Sequence, residues 1–406
     1  MGRAKAEWME QQERGWAAPD KFVCPDCVED AYLKGLIESD ADSTSCDYCG
    51  NEGEVVIAAP VEAIMPAVMG ALTHYYAEPA SAGVPYETAE GGWLFEPTDT
   101  ADALMSLSLQ CNDELFEDVV AAISNVNDAW VDAAGGNWAS IQKSEELLYG
   151  WQRFSEHVKH RQRYFFTAIE PEPWQDIEPS RLMPELAAVV AEIGLVEQME
   201  PDTPLFRVRL RSATDLWPLD ATELGAPPPD KATAGRMNPP GISYLYLALD
   251  PATAAAEILR GPPCTLAVAR FCTRRSLAVL NLTDLPEIPS LFDVNRLRKR
   301  ELLLFLKEFV DAISRPVEKN GGEHVEYVPS QVVCEYFASM FRPEEPLDGL
   351  LYPSAVHPGG RNLVLFPRHE EFENSFPHVE FQNAREAAVR DWTELSRLLG
   401  DTGGRP

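Results

Sequence analysis

Two short stretches of this chain concentrate side chains capable of chemistry. The first is Gly235-Arg236-Met237-Asn238-Pro239-Pro240-Gly241, followed by Ser243-Tyr244-Leu245-Tyr246-Leu247-Ala248 and Ala254-Ala255-Ala256-Glu257-Ile258. It sets a planar guanidinium suited to phosphate oxygens, an aromatic ring able to stack on a flat ligand, and a carboxylate within one short run. The second is Cys24-Pro25-Asp26-Cys27 with Cys46-Asp47-Tyr48-Cys49, two C-x-x-C pairs at the spacing of a four-thiolate zinc site. All four positions are thiols, so no coordination site is left for water and the expected zinc is structural. A nucleic-acid-binding zinc ribbon is the alternative, disfavoured by the acidity of the flanking residues.

The elements that must hold these groups are legible from local pattern. Gly235 to Gly241 reads as a turn, Tyr244–Ala248 as a half-buried strand, and Asp250-Pro251 as the start of an Ala-rich helix stopping at Gly261-Pro262. Leu205–Leu210 alternates as a strand, and a Pro-containing break at 201–204 puts a domain boundary near residue 200. Ahead of it, apolar residues recur at helical spacing at Ile64, Val68, Met69 and Leu72, at Leu115, Val119, Val120 and Ile123, and at Leu147, Trp151, Phe154 and Val158. Downstream, strands are expected over 265–271, 277–282, 350–352 and 362–366, with helices over 294–313 and after Pro329-Ser330-Gln331, which makes Ser330 a helix N-cap. A last helix is expected over Ala384–Leu399. The resulting organisation is multidomain: a zinc ribbon over 18–56, an all-α domain over 57–199, an α+β domain over 200–368, and a C-terminal helix and tail over 369–406.

The formal net charge is -31, and residues 1–200 hold 11 basic against 37 acidic side chains. Such a surface repels polyanions, so no nucleic-acid partner is expected, whereas the near-neutral second half can hold one small anionic ligand. No run of about 18 apolar residues occurs and the first residues are charged, which favours a cytoplasmic protein with no membrane contact. Cys111, Cys264, Cys272 and Cys334 lie among apolar neighbours, as reduced thiols do.

Six ordered blocks carry a resemblance to a known family: Leu205-Phe206-Arg207, Gly235 to Gly241, Tyr244 to Ala248, Ala255-Ala256-Glu257, Val328-Pro329-Ser330-Gln331 and Asp348-Gly349-Leu350-Leu351-Tyr352. Over roughly residues 204–368 the chain resembles the RES family of NAD-consuming toxins, and the zinc ribbon and helices before it resemble the HEPN-related module that precedes some RES domains. The likeness implies a fold related to ADP-ribosyltransferases. It also implies an NAD glycohydrolase or phosphorylase, a hydrolase-type toxin of a toxin–antitoxin pair or an anti-phage defence effector, with NAD as substrate. By that likeness Glu257, Arg207 and Ser330 are catalytic, and Arg236 and Tyr246 bind substrate. Val208 stands where the family often has an aromatic residue.

Two other readings follow. The same fold would serve a protein ADP-ribosyltransferase. HEPN ribonucleases pair an Arg with a His on one helix, and Arg153-x6-His160 fits the upper end of that spacing, so a ribonuclease with an accessory RES domain is the third. Within Arg153 to Arg161 a solvated polar helix face is the simpler reading, as it is for Arg296, Arg298, Lys299 and Arg300. A homo-oligomer or a regulatory partner protein is compatible with this sequence.

Overall fold

The computed structural model describes residues 3–89, 91–164, 177–211, 217–259, 264–317, 322–368, 376–390 and 394. The chain divides into two compact units, one of residues 1–146 and 287–304, the other of residues 147–286 and 305–406.

In the first unit, three helices start where a short polar side chain meets the first helical turn. Asp30 Oδ1 accepts the N–H groups of Tyr32 and Leu33 at the head of Ala31–Ser39, Asp99 caps Thr100–Ser106, and Asn112 caps Asp113–Ser124. Such caps satisfy donors that the helix itself leaves open. Helix Met65–Tyr75 begins with a proline in its first turn, where a missing N–H costs nothing. The buried faces meet in one core that includes Leu33, Ile64, Leu72, Leu104, Leu115 and Ile123, and Cys24, Cys27 and Cys46 belong to that same core. Residues 79–93 contain a short helix, Pro79–Ala82, and a two-residue strand pairing.

The second unit is built on an eight-stranded sheet: β1 (Val196–Met199), β2 (Pro204–Arg211), β3 (Leu245–Ala248), β4 (Cys264–Thr273), β5 (Leu277–Asn281), β6 (Gly349–Pro353), β7 (Arg361–Leu365) and β8 (Val379–Val389). The spatial order is β8-β4-β2-β3-β7-β6-β5-β1. All neighbours are antiparallel except β5 and β6. Helices and an almost wholly antiparallel sheet without βαβ repetition make this unit α+β, as the order of elements predicts.

Register assigns the faces. Leu205, Leu245, Leu247, Leu351, Leu363 and Leu365 form one apolar layer. The pairings Val364↔Tyr246, Asn362↔Ala248 and Tyr352↔Asn362 put Tyr246, Asn362 and Tyr352 on the opposite face. Helix Pro251–Ala256 packs on that opposite face, where Ala254 and Ala255 meet Val208 and Ala248.

Three expectations are corrected. Residues 384–389, read as the start of a helix, lie in β8, paired with β4 from Cys264↔Val389 to Thr273↔Val379 with a bulge at Arg270/Phe271; the rest of that expected helix, Arg390 and Glu394 apart, falls outside the described residues. The backbone bonds of the neighbouring strand outweigh the helix preference of Ala384, Ala387 and Ala388, since propensity is a weak prior beside tertiary pairing. Helix Pro251–Ala256 ends well before Gly261, leaving Glu257 at its C-cap. Ser330 is not an N-cap: helix Val328–Ser339 is capped by Tyr327, itself in right-handed helical conformation behind Glu323–Glu326, so the backbone has already turned helical three residues before the serine.

Candidate active site

Four of the five sequence-chosen ligand residues come together. A cavity of about 580 Å³ is lined by Arg207, Arg236, Tyr246 and Glu257, with Tyr352 and Asn362 completing its wall. It exists because β2 and β3 pair at one position alone, Phe206↔Ala248. Beyond that pair the strands part. Arg207 has the parity of Leu205, which faces the other layer, and it is nonetheless among the residues that line the cavity.

Glu257 is solvent-exposed at the cavity wall and its Oε1 accepts two hydrogen bonds, from Asn362 Nδ2 at 2.6 Å and Ser354 Oγ at 2.7 Å. A carboxylate at a helix C-terminus faces the negative end of the helix dipole, so these two donors offset an unfavourable position and aim the side chain. Sequence reasoning missed both donors. The available signal was Asn362 itself, a buried polar residue opening the apolar run Leu363-Val364-Leu365-Phe366.

Arg236 is held by its neighbours on every side. Ser330 Oγ lies 2.6 Å from its carbonyl oxygen, Gln331 Nε2 donates to the carbonyls of Gly235 and Asn238, and the Met237 N–H donates to Tyr246 Oη at 3.0 Å. The Tyr246 hydroxyl in turn donates to Asn238 Oδ1 at 2.8 Å. Gly235 must be glycine, since a Cβ there would sit 2.7 Å from Tyr246 Oη. The guanidinium donates through Nη1 to the carbonyls of Ile313 (3.0 Å) and Arg315 (2.7 Å) and lies over the Tyr327 ring. Its Nε and Nη2 have no hydrogen-bond partner among the described residues. Ser330 thus holds the arginine loop and does not line the cavity that holds Glu257.

Arg207 donates to the Gly225 carbonyl at 2.5 Å. Burial, with Arg209 beside it, pushes its pKa down to about 10. It remains cationic at neutral pH, and an anionic ligand would relieve the cost of that burial. Burial pushes the Tyr246 and Tyr352 phenols up, so both rings are neutral.

In the first unit the thiols of Cys24, Cys27, Cys46 and Cys49 all lie within 4.8 Å of one another. The sulfur pairs 24–27, 24–49 and 27–46 are 3.8, 3.5 and 3.6 Å apart. A tetrahedral ion with thiolate bonds of about 2.3 Å separates its sulfurs by about 3.8 Å, so the cluster fits a four-thiolate metal. The Cys24 N–H points at Cys46 Sγ, as donors do around a metal-bound thiolate.

Residues 204–387 match the RES domain and residues 39–172 match the HEPN/RES N-terminal domain 1. The chain is therefore a RES-domain protein with a HEPN-related module in front, and its RES domain places it among NAD-acting proteins. No curated protein matches the chain. Among the described residues no helix is long and apolar enough to cross a membrane.

Proposed function

We infer that this protein degrades NAD by cleaving the nicotinamide–ribose bond, by hydrolysis or phosphorolysis, as a toxin or defence effector. The observation that carries the reading is the Glu257 carboxylate, held by Asn362 and Ser354 in the same cavity as Arg207 and Arg236. In NAD the leaving group is a cationic pyridinium. The electron pair of the breaking C–N bond returns to it and nicotinamide departs neutral, so no general acid is required. Positive charge instead spreads over the ribose ring, where a fixed carboxylate stabilises the transition state more than the ground state. Water or phosphate then bonds to the same carbon. Water gives ADP-ribose and a proton; phosphate gives the 1″-phosphate ester.

The guanidinium groups of Arg207 and Arg236 bind the pyrophosphate, the Tyr246 ring lines the nicotinamide end, and Ser330 acts through Arg236. The four-cysteine site holds zinc and stabilises the first unit. Chromatography of NAD incubated with the protein, with and without phosphate, tests the reading. Free nicotinamide with ADP-ribose or its 1″-phosphate supports it, whereas ADP-ribose retained on protein supports the transferase alternative. The ribonuclease alternative predicts RNA cleavage lost on His160→Ala and kept on Glu257→Ala.

A further inference from the structure

A second cavity, of about 600 Å³, meets the first at Arg236, Tyr327, Pro316 and Val317. Its far wall comes from helix Lys143–His160, through Trp151, Gln152, Ser155 and His160. Trp151 is buried, edge-on to Phe309 at 5.0 Å, so this wall is packed in place. The Lys159 Nζ–Glu326 Oε2 ion pair at 2.6 Å spans from that helix to the segment before Tyr327. Ser155 lies on the same wall, with its Oγ buried and without a hydrogen-bond partner among the described residues. A buried hydroxyl left unpaired is costly, and a bound polar group would satisfy it.

Each cavity alone has the size of a nucleotide pocket. Arg236 stands at their junction with Nε and Nη2 directed to neither carbonyl that Nη1 engages. Pyrophosphate at the junction and the nicotinamide ribose at Glu257 leave the other nucleoside to the second cavity, where an aromatic wall, an amide, a hydroxyl and an imidazole suit a purine and its ribose. We propose that the second cavity takes the adenosine monophosphate half of the dinucleotide, so that helix Lys143–His160 is part of the substrate site. This rests on the NAD reading of the first cavity.

The test uses the full chain and adenosine monophosphate as the probe, with binding followed by calorimetry and NAD turnover by nicotinamide release. AMP should bind, and it should inhibit NAD cleavage competitively. Ser155→Leu, and independently Gln152→Leu at an exposed position of the same helix, should weaken AMP at least about tenfold and raise the KM for NAD by a similar factor, the mark of lost ground-state binding. Glu257→Gln should leave AMP affinity unchanged. Absence of AMP binding, non-competitive inhibition, or affinity unaltered in both folded leucine variants would overturn the proposal. AMP binding that responds as expected in a wild-type protein releasing no nicotinamide would instead reject the NAD reading and leave a nucleotide cavity.

Discussion

Asn362→Leu isolates the bond that aims the proposed catalytic carboxylate. Asn362 is 4% exposed and donates to Glu257 Oε1 at 2.6 Å. Leucine fills nearly the same volume and removes that donor, leaving Ser354 to hold Glu257 alone. A hydrogen bond to a charged group contributes about 1.5–3 kcal/mol. At about 1.4 kcal/mol per tenfold, kcat should fall roughly 10- to 150-fold. The KM for NAD should barely change, because the arginines proposed to grip the phosphates are untouched. Asn362→Asp sharpens the test: a second carboxylate beside Oε1 disfavours ionisation of both, so the pair keeps a proton to higher pH and the acid limb of the kcat profile moves upward. Steady-state nicotinamide release across pH, with thermal unfolding to confirm the fold, reads both variants. An unchanged kcat in a folded Asn362→Leu protein would show that Glu257 needs no such support.

Gly235→Ala should raise the KM for NAD and cost about 1–3 kcal/mol of stability, because its Cβ would press on Asn238 Oδ1 and Tyr246 Oη; unchanged KM and thermal midpoint would contradict the close approach. Cys24→Ser with Cys46→Ser should abolish metal content measured by mass spectrometry and lower the unfolding midpoint of the first unit, since three of the four cysteines lie in its core; near-stoichiometric metal would refute the site. His378 is 1% exposed, with neither ring nitrogen hydrogen-bonded among the described residues, and burial pushes its pKa down to about 4, against the pull of Asp348 and with Arg275 and Arg368 adding to it. The unfolded chain therefore binds the extra proton between pH 6.5 and 4, so stability is full above pH 6.5 and falls as pH drops through that window, by about 3 kcal/mol at about 1.4 kcal/mol per unit. Denaturant titrations of wild type and His378→Phe should diverge there. Parallel curves would remove His378 as the cause.

What the residues reveal on their own follows how local the determinant is. The four cysteines need only their spacing, and Asp250-Pro251 announces its helix because the cap side chain and the first-turn proline are adjacent in sequence. Arg236, Tyr246 and Glu257 could be placed together because strand and helix follow one another directly. The gap between β2 and β3 is invisible by contrast, since it depends on which pairings fail to form. Ser354 and Asn362 stand about a hundred residues from the carboxylate they hold, and only β3–β7 pairing brings them near. Ser330 was legible as a polar residue at a helix start, but its acceptor, the Arg236 carbonyl, belongs to a distant loop. The alanines of β8 carry a helix preference that only the neighbouring strand overrides.

The most direct test of the central claim is release of nicotinamide from NAD by wild-type protein and by Glu257→Gln, which keeps volume and hydrogen-bonding capacity while deleting the charge. The account predicts turnover by wild type and a loss of at least about a hundredfold in a folded, metal-replete variant, the scale of one lost electrostatic contact to a transition state. Equal turnover by the two proteins would contradict it.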